Sequence, residues 1–180
     1  QGKQVLIEDG KNHIIDKIPE FAAERNKVNI STKVNITDNQ LRGNAVSEYN
    51  GESKISVQSA YAAIKNDKKA ESLADFARSN NNNIEVSNII NSDFNDRQKP
   101  LQLKFDFKAN NQVTKTGNEL YVVMDWEKEF GNMEMEADRK NDYEFDQKYW
   151  LTTQTELTIP EGYKIDYLPA AFKKSTASWS

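Results

Sequence analysis

Lys148-Tyr-Trp-Leu-Thr-Thr-Gln-Thr-Glu-Leu-Thr-Ile-Pro-Glu-Gly-Tyr-Lys-Ile-Asp-Tyr-Leu-Pro169 reads as two alternating strands hinged on Pro160-Glu161-Gly162. Leu151, Leu157 and Ile159 are the apolar residues of a threonine-rich run, and Thr, Tyr and Ile suit the pleated, half-buried surface of a sheet. Pro160 closes the first strand, because proline fixes φ and supplies no ladder donor, and Gly162 accepts the positive φ that a tight turn asks for. The stretch points to a β architecture rather than to a reaction.

The rest of the chain agrees. Val28, Ile30, Val34 and Ile36 lie two or four apart with polar residues between them, the period of a strand with one dry face. Asp38-Asn39 ends that strand and residues 40–49 run back toward Asn50-Gly51, so residues 27–51 are expected to form a hairpin. Segments 84–90, 101–107 and 119–126 carry further strand signals, with polar connections over 94–100 and 109–118. Strict alternation puts Leu101, Leu103, Phe105 and Phe107 on one side, where they are expected to share the core with Val28, Ile30, Val34 and Ile36. One region breaks the pattern: Ala60, Tyr61, Ile64, Ala70, Leu73, Ala74, Phe76 and Ala77 are spaced for one helical face. A helix is therefore predicted over 57–79, with Asn66 or Asp67 capping its second half and the Asn80–Asn83 run ending it. The fold class is mainly β, an antiparallel β-sandwich-like domain with one main α-helix.

Residues 1–26 hold a short strand candidate, an Asp9-Gly10 turn and His13-Ile-Ile-Asp-Lys-Ile-Pro19, and are expected to be the tail of a preceding domain. Residues 27–180 are expected to be the β-sandwich-like accessory domain. Residues 127–147 are highly charged and read as a long loop, and the final strand, 172–179, reads as cut short, so the domain is expected to be truncated at its C-terminus.

Composition excludes several function classes. The chain has 180 residues, enough for one substantial core, with 37% hydrophobic and 29% charged residues and a mean hydropathy of −0.85. No apolar run approaches the roughly 20 residues of a membrane span. The N-terminus shows no basic segment followed by an apolar one, so the chain is read as starting after any signal peptide. A net charge of −4 speaks against nucleic acid, which needs a basic face to displace counterions. Zero cysteines remove disulfides, thiolate nucleophiles and thiolate metal sites together, which suits a reducing cytosol or a Gram-negative periplasm equally.

The order of segments adds a resemblance. Ile18-Pro19 precedes a strand pair ending in Tyr49-Asn50-Gly51, a helix and an Asn-rich turn. Arg97-Gln-Lys-Pro-Leu101, Gly117-Asn-Glu-Leu-Tyr121, Arg139-Lys-Asn-Asp-Tyr143 and Ile159-Pro-Glu-Gly-Tyr-Lys-Ile-Asp-Tyr-Leu-Pro169 follow. From about Lys27 onward this resembles the C-terminal β domain of unknown function that follows a transglutaminase-like core in large envelope proteins of Gram-negative bacteria. The resemblance implies a β-sandwich-like module in an exported parent, located in the periplasm or cell envelope. It also implies that the Cys-His-Asp type chemistry belongs to the upstream core, so no catalytic residue is carried over to this chain.

Three groups of residues merit a site hypothesis. His13, the single histidine, has Asp9 and Asp16 near it in sequence; a catalytic base needs a nucleophile and an orienting group within reach, and no Gly-x-Ser-x-Gly elbow exists, so a structural or solvated histidine is expected. Glu127, Glu129, Glu134, Glu136, Asp138, Asp142, Glu144 and Asp146 form an acidic run that lacks an Asp-x-Asp-x-Asp-Gly loop. Lys128, Arg139, Lys140 and Lys148 are interspersed, so self-neutralising charge is expected rather than a Ca²⁺ site. The aromatics Trp126, Tyr143, Phe145, Tyr149, Trp150, Tyr163, Tyr167 and Trp179 crowd the C-terminal third and are expected to fill the core; exposed on one face, they would stack on sugars. No catalytic, cofactor or metal residue is assigned. The leading reading is a non-catalytic domain that packs on an adjoining transglutaminase-like domain of the same polypeptide. The alternative is a carbohydrate- or glycan-binding β-sandwich module, with a glycan or a peptide as partner.

Overall fold

The computed structural model describes residues 2–79, 81–124, 138, 140 and 147–174. The hairpin expected over 27–51 is the centre of the molecule. β3 (Lys27–Thr37) and β4 (Gln40–Tyr49) pair antiparallel from Val28 opposite Tyr49 to Thr37 opposite Gln40. Asp38 and Asn39 are the two turn residues, both at positive φ (53° and 57°), as a type I′ turn requires and as short Asx side chains tolerate. β6 (Leu101–Ala109) pairs antiparallel with β4, β5 (Ile84–Asn91) with β6, and β9 (Trp150–Leu157) lies parallel to β3. The result is a five-stranded sheet of order β5-β6-β4-β3-β9, antiparallel except at its last pair.

One face of this sheet is dry. Leu101, Leu103, Phe105, Phe107 and Ala109 are all buried, and their partners on β4 and β3 are Leu41, Ala45, Thr32 and Val34. Ile36 packs against this core partly buried, whereas Val28 and Ile30 are only half-buried near the end of the sheet. Gly43 sits in the same row, opposite Val34 and Phe107; a Cβ there would meet the Lys33 carbonyl oxygen, so the close approach of β3 to β4 demands glycine. The covering layer is the hairpin of β7 (Val113–Thr116) and β8 (Glu119–Val122), which contributes Val113, Leu120 and Val122, together with Leu73 and Ala77 of a helix. The domain is thus mainly β and sandwich-like, with helix sharing the second layer.

The structure refines several expectations. The single helix expected over 57–79 is two, α1 (Gly51–Ala62) and α2 (Lys69–Ala77). They part because Lys65 is extended (ψ 143°) and a 3₁₀ turn, Asn66–Lys68, leads into α2; neither Asn66 nor Asp67 caps it through a side chain. Ser79, at φ 51°, takes the left-handed position after α2 that was expected of an asparagine. The strand expected over 119–126 is β8 alone within the described residues, and β7 arises inside the segment read as a connection. β5 bulges between Ser87 and Ile90, with Asn88 at φ 51°, so Ile89 turns to the core and Ile90 to solvent. The turn read at Pro160-Glu161-Gly162 is present: Tyr163 N donates to Pro160 O at 3.1 Å and Gly162 has φ +83°, the type II pattern. The second strand it was expected to launch is not formed; residues 163–168 belong to no sheet, since alternation supplies a strand-competent segment but not a neighbour to bond to. Residues 172–174 are likewise outside any strand, and the rest of the final strand read over 172–179 lies outside the described residues.

Candidate functional site

One exposed apolar surface is the C-terminal segment bearing Ile165, Tyr167, Leu168 and Phe172; a second is the N-terminal hairpin of β1 (Gln4–Asp9) and β2 (Asn12–Lys17). Its two-residue turn has Gly10 at φ +62°, a conformation glycine adopts without strain. The register puts Leu6 opposite Ile15 on one face and Ile7 opposite Ile14 on the other. Leu6 and Ile15 are 67% and 69% exposed, Ile7 and Ile14 44% and 48%. The two strands pair only with each other among the described residues, and a lone two-stranded hairpin is marginal in water. Aliphatic pairs on both of its faces leave apolar surface that folding of the described residues does not cover.

This hairpin is joined to the sheet by a well-fixed junction. Glu20 receives Lys17 Nζ at 2.7 Å and Lys148 Nζ at 3.6 Å, and the Lys17 hydrogen bond, first, with the two lysine charges holds its carboxyl below the usual glutamate range. The Arg25 guanidinium lies 4.0 Å over the Phe21 ring. Asn26 ends the 3₁₀ turn Ala23–Asn26 and is 1% exposed. Its Nδ2 donates to Lys148 O at 2.7 Å and its Oδ1 accepts from Glu52 N at 3.0 Å. One side chain therefore ties the start of β3, the lead into β9 and the N-terminus of α1, and it does the capping that Asn50 leaves undone. Gly51, at φ +55°, completes the junction, since a Cβ there would meet Arg25 O and Asn26 Oδ1.

α1 braces a loop. Lys54, Gln58 and Tyr61 recur at four- and three-residue spacing on one helical face. Lys54 is buried and its Nζ donates to the carbonyls of Asp96 and Lys99, 2.6 Å each. Gln58 Nε2 donates to Phe94 O, and Tyr61 stacks on the Phe94 ring with centroids 3.9 Å apart. Asp96 in turn accepts from the backbone N–H of Gln98 and Lys99, which hold its carboxyl below the usual aspartate range. Residues 92–100 are thereby tied to α1. A void beneath α2, lined by Ile30, Thr32, Ala45, Ala77, Ile84 and Phe105 among others, admits about one water molecule and is too small for an organic ligand.

The residues singled out in the sequence fall in different places. His13 stands on β2 opposite Glu8, with Asp16 on the other face of the hairpin, so the structure does not bring His13 and Asp16 together. Of the acidic run, Asp138 is described and exposed, and the other seven members lie outside the described residues. Among the described residues no three of His, Cys, Asp and Glu converge as metal ligands would. Trp126, Tyr143, Phe145 and Trp179 also lie outside the described residues. Tyr149, Trp150, Tyr163 and Tyr167 were expected to fill the core and do not; among the described residues the buried aromatic rings are Phe105 and Phe107. Trp150 opens β9 on the solvent face and the segment bearing Tyr163 and Tyr167 begins beyond its other end, about 23 Å along the strand. Sequence reasoning missed Asn26 and the polar face of α1. The latter had a signal in the Lys54, Gln58, Tyr61 spacing, but Asn26 had none, because its partners are 26 and 122 residues away. The chain matches no family model, no curated protein and no solved structure.

Proposed function

We propose that this chain is a non-catalytic accessory domain of an exported transglutaminase-like protein, periplasmic or in the cell envelope, that packs on the core domain preceding it in the same polypeptide. The carrying observation is the β1–β2 hairpin, whose Leu6–Ile15 and Ile7–Ile14 pairs leave both faces apolar and exposed. A hairpin of that composition gains stability by insertion between other elements, and the ion pairs of Glu20 with Lys17 and Lys148 link its base to the approach to β9. The order of segments that resembles the transglutaminase-associated domain supports a transglutaminase-like core as the adjoining partner.

The test expresses the parent polypeptide with and without residues 27–180, and again with Leu6→Ser and Ile15→Ser together, assaying core turnover and thermal midpoint. The domain's removal is expected to change turnover or lower the midpoint, and the double substitution to reproduce much of that change. If removal alters neither, and the isolated domain retains sugars on a glycan array, the carbohydrate-binding reading replaces this one.

A further inference from the structure

The two edges of the five-stranded sheet are built differently, and among the described residues no strand pairs with the outer side of β9. β5 is interrupted by its bulge, with Asn88 in the left-handed region and its Nδ2 bonded to Asp106 at 2.7 Å, the kind of irregularity that keeps another strand from adding. β9 keeps register with β3 over all eight residues, Trp150–Leu157, and contains no proline, no lysine and no bulge. Its central run, Leu151-Thr-Thr-Gln-Thr155, is uncharged. Thr158 N donates to Val34 O, so by the alternation of a strand the even-numbered residues turn their N–H and C=O groups to β3. The odd-numbered ones, Leu151, Thr153 and Thr155, turn theirs away from the sheet.

We infer that this edge pairs with β9 of a second copy of the chain, antiparallel about a two-fold axis at Thr152, joining two sheets into one of ten strands. The charges choose that occupant. Lys148 stands just before the strand and Glu156 near its end, both largely exposed. Their ion pairs within the chain, to Glu20 at 3.6 Å and to Lys33 at 3.9 Å, are long surface contacts of the kind worth little, so both charges can turn to a second copy. In an antiparallel pair centred on Thr152, Lys148 of each copy falls opposite Glu156 of the other, Trp150 opposite Gln154, and Leu151 opposite Thr153. The Leu151–Thr153 pairs are the ones whose outward backbone groups exchange hydrogen bonds, and the central Thr–Thr pair is a favourable cross-strand contact. A contact that uses the same patch twice closes on itself and stops at a dimer. Lys148 is also the partner of Glu20 at the hairpin junction, so Thr153→Pro, which touches neither that pair nor the hairpin, is the variant that separates this inference from the proposed docking on a core domain.

Sedimentation velocity of the whole chain over a concentration series tests it. A reversible monomer–dimer equilibrium is expected. Thr153→Pro removes an outward donor while sparing the bonds to β3, and is expected to abolish the dimer with the circular dichroism spectrum retained. Lys148→Glu and Glu156→Lys are each expected to weaken the dimer about tenfold, and the two together to restore it. A chain that stays monomeric throughout, a dimer indifferent to Thr153→Pro, or a double reversal that fails to recover association would each overturn the inference. The charge reversals decide the matter should Thr153→Pro fail to fold.

Discussion

Replacing Asn26 by alanine should unsettle three elements at once. Asn26 is almost wholly buried, and its amide both donates to Lys148 O and accepts from Glu52 N. Asn26→Ala deletes two hydrogen bonds worth about 1 kcal/mol each and strands a carbonyl and an N–H at a site with little access to water, so the expected loss is about 2–4 kcal/mol. For a chain of this size that lowers the thermal midpoint by about 6–12 °C. Urea unfolding followed by circular dichroism measures the total, and hydrogen exchange at the Glu52 amide reports the cap itself. Asn26→Asp keeps the acceptor at the N-terminus of α1 and loses the donor to Lys148, so it should preserve Glu52 protection better than alanine does. A loss below about 0.5 kcal/mol, the range of an unremarkable surface change, with Glu52 as protected as before, would refute the reasoning.

Other outcomes follow from the core and the loop. Phe105→Ala should cost about 3–5 kcal/mol, since the ring is buried in the middle of β6; a loss under about 1 kcal/mol in denaturant unfolding would show the face is mis-assigned. The 92–100 loop should loosen in acid. Its Asp96 carboxyl is held below the usual range by the N–H groups of Gln98 and Lys99, so this stabilisation is complete above the unfolded-state value of about 3.9 and lost as pH falls through the lower folded one. Amide exchange at Gln98 and Lys99 should therefore rise below about pH 4, and Asp96→Asn should flatten that dependence. Excess Ca²⁺ should leave the thermal midpoint where chelator leaves it, because the acidic run has charge without ligand spacing; a rise of several degrees with Ca²⁺ and not Mg²⁺ would place a site there.

Sequence by itself determined the local geometry. Two-residue alternation placed Leu101, Leu103, Phe105 and Phe107 on the buried face, because a strand cannot turn alternate side chains any other way. Asp38-Asn39 and Pro160-Glu161-Gly162 named their turns, because only residues with those φ preferences tolerate them. Tertiary structure alone decided which segments find partners. The segment 163–168 alternates as well as β9 does, yet only β9 reaches a neighbour, and it lies parallel to β3 from more than a hundred residues away. The extent of α1 was hidden for the same reason: its packing face is Lys54, Gln58 and Tyr61, polar or amphipathic groups whose role depends on carbonyls and a ring that the fold brings to them. Asn26 is the extreme case. Nothing beside it in the chain distinguishes it from the protein's many other asparagines, and its burial follows from the convergence of β3, α1 and the approach to β9, a contact set by long-range packing rather than by any local preference.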